Sequence, residues 1–193
     1  MVELEKILSR LVKIFNSINI KYVIVGGIAI IHYGHLRTTQ DIDLILEDNK
    51  KYFPKLLGLF KKNNFDVNDA DFYRAYQEKT HITIFDNKSY YRLDIKIASK
   101  NIDYDVLNNA IKEQIFNFNL NFAPLEYVLI GKLLYIGNID DIPDSELLEY
   151  QDILDFLVLY HANRNRINDD FLMKKVVEIN LGPTLKRLIS FKF

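Results

Sequence analysis

The stretch Tyr22–Leu46, YVIVGGIAIIHYGHLRTTQDIDLIL, leaves this chain few ways to fold. Tyr22–Val25 reads as a strand, Gly26-Gly27 as its end, Ile28–Tyr33 as a short helix, Gly34–Gln40 as a polar turn and Asp41–Glu47 as a second strand. Residues two apart in a strand share a face at about 6.5–7 Å. Asp41 and Asp43 therefore point one way, while Ile42, Leu44 and Leu46 point into a core. Two like charges side by side at a strand end repel each other unless a cation bridges them. Oxygen-only donors, in a chain without Cys, suit Mg²⁺ or Mn²⁺. Just upstream, the helix after the glycine pair presents free backbone N–H groups at its positive end, and the missing side chains let an anion come close. A phosphate and a divalent metal are thus expected in one place.

Composition excludes several classes. With 193 residues and 49% hydrophobic content the chain can bury a sizeable core. The most apolar stretch, Tyr22–Tyr33, is too short to span a bilayer and holds two glycines. The opening MVELEKILSR has early acids and a helical period, unlike a signal peptide. These features predict a soluble, cytoplasmic protein without a membrane partner. The absence of Cys removes disulfides and thiolate metal sites. Net charge is −1, but from His161 onward seven basic side chains against three acidic ones leave +4, and the rest of the chain −5. That basic end is open to two readings, an RNA or acidic partner and the solvated faces of terminal helices.

Along the rest of the chain, Leu4, Ile7, Leu8, Leu11, Ile14, Phe15 and Ile18 fall at helical spacing, and a second amphipathic helix is expected over 50–62 with Pro54 in its first turn. Short strands are expected near Phe72–Tyr76 and His81–Phe85, and another over Arg92–Ala98 with Arg92, Asp94 and Lys96 on its polar face. A short helix near Tyr104–Ala110 precedes a strand over Glu113–Phe122. Helices then follow from Pro124, over 146–161 capped by Asp144 or Ser145, and over about 168–180 and 183–191. Lys132 lies on or beside an apolar stripe, where a lysine either snorkels from the edge or carries its ammonium to a ligand. Asp152 and Asp155 share a side of their helix. His32 and His35 read as ordinary helix and turn residues. Gly26, Gly27 and Gly34 do not make G-x-G-x-x-G, and Gly131-Lys132 is followed by Leu133, so neither a Rossmann fingerprint nor a P-loop is present.

Gly26-Gly27, the thirteen residues 28–40 and then Asp41-Ile42-Asp43 resemble the signature of the DNA polymerase β-like nucleotidyltransferases. GGIAIIHYGHLRTTQDIDL is most similar to their minimal, antibiotic-nucleotidyltransferase and AbiEii-toxin-like branch, although many members carry Gly-Ser where this chain has Gly26-Gly27. The resemblance implies an α/β (α+β) nucleotidyltransferase fold: a small mixed β-sheet flanked by helices, with a core over 1–122 and a helical region over 123–193. It implies Asp41, Asp43 and Asp94 as catalytic and metal-holding carboxylates, with Mg²⁺ or Mn²⁺ as cofactor. Gly26, Gly27, Arg37, Thr38, Lys132 and Asp152 are implied to bind the nucleotide. For Asp94 a surface ion pair with its neighbours Arg92 and Lys96, and for Arg37, Lys132 and Asp152 a plain turn, edge or surface role, stands beside that one. The implied reaction moves an NMP from an NTP such as ATP to an acceptor, which is RNA (tRNA included), protein or a small molecule. A toxin–antitoxin or defence setting with an antitoxin partner belongs to the same resemblance. The alternative is a catalytically silent nucleotidyltransferase-like module that binds a protein.

Overall fold

The apolar stripe near the start of the chain makes helix α1 (Glu3–Ile18), which buries Ile7, Leu8, Leu11, Val12, Ile14, Phe15 and Ile18. The computed structural model describes residues 3–191, in two units. One holds the residues up to Ile28 with Thr38–Ala123; the other holds Ala29–Arg37 with the residues from Pro124 on.

In the first unit α1 is followed by β1 (Tyr22–Val25), α2 (Gly26–His32, whose later residues belong to the second unit), β2 (Asp41–Leu46), α3 (Phe53–Lys62), β3 (Phe65–Asp66), α4 (Asp69–Glu78), β4 (His81–Asp86), β5 (Arg92–Ile97), α5 (Asn101–Asn108), β6 (Ile111–Ile115) and β7 (Phe118–Phe122). The strands form one mixed sheet in the order β3-β4-β5-β2-β1-β7-β6. β2 runs parallel to β5 and antiparallel to β1, and β1 runs parallel to β7. Strict alternation buries Ile42, Leu44, Leu46, Leu93, Ile95 and Ile97 on one face of the β2/β5 pair. Helices flank the sheet: α1 meets α3, where Phe15 stands edge-on to Phe60 at 6.4 Å, and α5 meets β1 and β2. The fold class is the expected mixed sheet with flanking helices.

The second unit is helical. α6 (Leu125–Ile136) and α7 (Gln151–Ala162) pack together, and α8 (Asp169–Glu178) and α9 (Gly182–Ser190) pack on them. Asn163, at the end of α7, donates to the carbonyls of Leu159 and Tyr33 at 3.0 Å each, which fastens residues 29–37 to this unit. Arg187 of α9 donates to the carbonyls of Ile139 and Ile142 and to Asp144, closing the loop after α6. Among the described residues no helix is long and apolar enough to cross a membrane.

Three segments differ from the periodicity reading. Phe72–Tyr76 is helical, not extended: Asn68 caps α4 by accepting from the N–H groups of Ala70 and Asp71, and Phe72 and Ala75, one turn apart, are the buried pair. Glu113–Phe122 is two strands, because the chain reverses between Ile115 and Phe118, with Phe116 at a left-handed φ of 56°. The helix expected over 146–161 is a 3-10 turn at Asp144–Glu149 and then α7, separated by Tyr150 in an extended conformation.

One buried ion pair ties the first unit together. Arg10 of α1 donates to both oxygens of Asp86 (2.8 and 2.6 Å) and to the Asn63 carbonyl (2.8 Å), and its guanidinium lies 4.7 Å from the centre of the Phe65 ring. Burial pushes the Asp86 carboxyl up. Hydrogen bonds from Arg10, Ser89 and the Lys88 N–H, with the charge of Arg10, outweigh this and leave it below its ordinary value of 3.8. Because the folded value is depressed, the stabilisation is present above that pH and is lost as the pH falls below it. Arg10→Ala leaves Asp86 buried without its cation and is expected to cost about 3–5 kcal/mol in urea unfolding at neutral pH. The difference from wild type should shrink under acidic conditions.

Candidate functional site

The register of three strands assembles the site. Val25 pairs with Asp43 across β1/β2, while Asp41 pairs with Arg92 and Asp43 with Asp94 across β2/β5. The face opposite the buried one thus carries Asp41, Asp43, Arg92, Asp94 and Lys96, all at least partly open to solvent. Asp41, Asp43 and Asp94 are brought to adjacent positions on two strands, a proximity that alternation alone could not establish for Asp94.

The glycine pair makes room for this face. A Cβ at Gly26 would stand 2.0 Å from Asp43 Oδ2, and Gly26 has a φ of +58°. A Cβ at Gly27 would stand 2.8 Å from Thr39 Oγ1. The Gly27 N–H donates to Asp43 Oδ2 at 3.2 Å, and Thr39 Oγ1 accepts from the Asp41 N–H at 3.2 Å. The anion seated at the glycine turn here is the carboxylate of Asp43 itself. Thr38 is exposed in the turn beside Thr39.

The charges on this face are already partly matched. Arg92 Nε lies 2.8 Å from Asp41 Oδ1 and 3.5 Å from Asp94 Oδ2, and the Thr83 hydroxyl donates to Asp94 Oδ1 at 2.6 Å. Among the described residues no three Asp, Glu, His or Cys side chains are gathered into a ready metal cage. Two of the three acids converge instead on one cation, a guanidinium. An oxygen-only donor set aimed at a shared cation fits a hard divalent ion.

Arg37, Lys132 and Asp152 lie in the second unit and form a cluster of their own around Asp155, a residue the periodicity reading left without a role. Asp155 is fully buried and is met by Arg37 Nη1 at 2.5 Å, Lys132 Nζ at 2.7 Å and Gln151 Nε2 at 2.8 Å. Lys132 also reaches Asp152 at 2.7 Å. His35 Nδ1 stands 3.2 Å from Asp155 Oδ1 without the alignment of a hydrogen bond, so that buried nitrogen has no hydrogen-bond partner. The available signal was an acid set in the apolar run Ile153–Tyr160, since an acid so placed requires buried partners.

A cavity of about 280 Å³ in the first unit is lined by residues that include Asp48, Lys50, Tyr76, Lys79, Ala98 and Ser99. It lies where β2 and β5 end, away from the acids at their beginnings.

No family model matches the chain. Among curated proteins it is similar to a DNA-directed RNA polymerase subunit beta of Eimeria tenella, 28% identical over 162 residues, which are 78% of this chain and 15% of that one. The chain therefore spans a small part of that relative's length. Among solved structures it is similar to the antibiotic-resistance factor ANT(2'')-Ia, with a TM-score of 0.55 and 12% identity over 96% of this chain and 94% of that one. It is also similar to an antigenic nucleotidyltransferase-like protein from Paracoccidioides brasiliensis, with a TM-score of 0.53 and 17% identity over 99% and 94% of the two chains. At these identities the likeness is one of fold, and the fold is nucleotidyltransferase-like.

Burial separates the two acids of the α7 cluster. Removing Asp155 takes the buried acid from Arg37 and leaves Lys132 only the Asp152 carboxylate, whereas the Asp152 side chain is 45% exposed. Asp155→Ala is expected to lower unfolding free energy by about 3–5 kcal/mol. Asp152→Ala is expected to lower it by no more than about 1 kcal/mol in the same denaturant titration.

Proposed function

We propose that this chain is a divalent-metal-dependent nucleotidyltransferase that moves an NMP from an NTP to an acceptor and releases pyrophosphate. The observation that carries the reading is the placement of Asp41, Asp43 and Asp94 on one open face of β2/β5, beside the Gly26-Gly27 turn. Asp41, Asp43 and Asp94 would hold Mg²⁺ or Mn²⁺, which when bound neutralises triphosphate charge and lowers the pKa of the acceptor hydroxyl. Asp94 takes the acceptor's proton on Oδ2, the oxygen that faces Arg92 at 3.5 Å, while the Thr83 hydroxyl holds Oδ1. As the O–H bond breaks, the acceptor oxygen bonds to the α-phosphorus. The bond from the α-phosphorus to the bridging oxygen then breaks, and pyrophosphate leaves with that electron pair.

The backbone of Gly26 and Gly27 and the Thr38 side chain are assigned to the triphosphate, the Gly27 N–H becoming available as Asp43 turns to its ion. Arg37, Lys132 and Asp152 keep the proposed nucleotide-binding role that the resemblance implies for them. The acceptor is assigned to RNA or protein, in a toxin–antitoxin or defence setting. A neighbour in fold is an antibiotic-resistance factor, so a small-molecule acceptor is the competing outcome.

Incubating the protein with each α-³²P-labelled NTP, total cellular RNA, total protein and a small-molecule extract tests the proposal. Label should appear only with Mg²⁺ or Mn²⁺ present and vanish with Asp43→Asn, while circular dichroism shows the variant folded. Labelling by Asp43→Asn at the wild-type rate, or none in any fraction, overturns it.

A further inference from the structure

The cation shared by Asp41 and Asp94 in this structure belongs to the chain itself. Arg92 is the register partner of Asp41 and precedes Asp94 by two residues on the same face of β5. Its Nε is 2.8 Å from Asp41 Oδ1 and 3.5 Å from Asp94 Oδ2, so one guanidinium edge answers both carboxylates. An ion bound by those same oxygens and the Arg92 Nε cannot occupy that position together.

We propose that Arg92 is the internal counter-cation of the metal site: it holds Asp41 and Asp94 in the metal-free protein, and metal loading displaces it. This inference rests on the metal-dependent reading above. The need for such a group follows from the register. Asp43 and Asp94 are direct partners on adjacent strands, and like charges opposite each other destabilise a sheet. The possibility of displacement follows from exposure. The Arg92 and Asp41 side chains are 45% and 36% open to solvent, so the contact is a weakly held one that a divalent ion can outcompete. Arg92 thereby sets how much free ion the site needs. The plain alternative is a surface ion pair that a bound metal leaves undisturbed.

Mn²⁺ titration of the metal-free full chain, read by calorimetry and by the loss of free-ion paramagnetic signal, separates these cases. The proposal predicts that Arg92→Gln binds Mn²⁺ about two- to five-fold more tightly than wild type, the range set by a half-exposed ion pair. It predicts that metal-free Arg92→Gln melts below wild type and gains more in melting temperature on adding Mn²⁺. Arg92→Lys keeps the charge but loses the guanidinium fork, so it too should bind more tightly than wild type, and it carries the comparison if Arg92→Gln does not fold. Arg92→Gln no tighter than wild type overturns the proposal. So does tightening in Arg92→Gln with Arg92→Lys identical to wild type, since charge alone then acts without contact. Asp41→Asn locates the ion. Binding that Asp41→Asn abolishes and Arg92→Gln leaves unchanged overturns the role of Arg92 alone, whereas no binding by any form overturns the metal reading with it.

Discussion

Asp43 lies over the backbone of Gly26 in a space that a single Cβ would fill, and the arrangement of the acidic face follows from that approach. Because residue 26 has no side chain and adopts a left-handed φ, β1 can turn directly into α2 while β2 runs back beside it. The Gly27 N–H then meets the Asp43 carboxylate, and Thr39 fits over Gly27 while accepting from the Asp41 N–H. Two glycines, a threonine and two aspartates are in this sense one packed object. A larger side chain at either glycine meets Asp43 or Thr39 before it meets anything else.

Burial distinguishes acids enclosed by the fold from acids open to solvent. Asp86 and Asp155 have no side-chain exposure, and each is met by an Arg as well as by uncharged or further cationic donors. Removing one partner from such a site leaves a stranded charge, so these contacts are fixed parts of their units. Asp41 and Asp94 instead keep part of their surface in solvent and share a guanidinium at 2.8 and 3.5 Å. Water can replace a partner there at small cost. The same residue type is thus enclosed and fully paired in one place and open to solvent in another.

Alternation was enough to put Asp41 and Asp43 on one face of β2 and Asp94 on the polar face of β5, because a period of two is a local property. Their meeting is not local: it depends on the parallel pairing of β2 with β5, which no spacing encodes. Asp155 escaped for the same reason, since Arg37, one of its partners, is 118 residues away. The segments that depart from periodicity do so for local reasons. In α4, aromatic residues with strand propensity were overruled by the Asn68 cap and by burial of Phe72 and Ala75. In the β6–β7 hairpin the alternation IFNFNLNF runs through a turn whose left-handed residue is a phenylalanine, so nothing punctuates it.

Nucleotide binding with and without a divalent ion tests the assignment of the acidic face most directly. Calorimetric titration of the folded protein with ATP, GTP, CTP and UTP should give saturable heat for at least one of them in Mg²⁺ or Mn²⁺. That heat should disappear in a chelator, because the acidic face repels a triphosphate that arrives without its ion. Equal binding in the chelator, or silence from all four nucleotides with the ion present, would contradict the assignment.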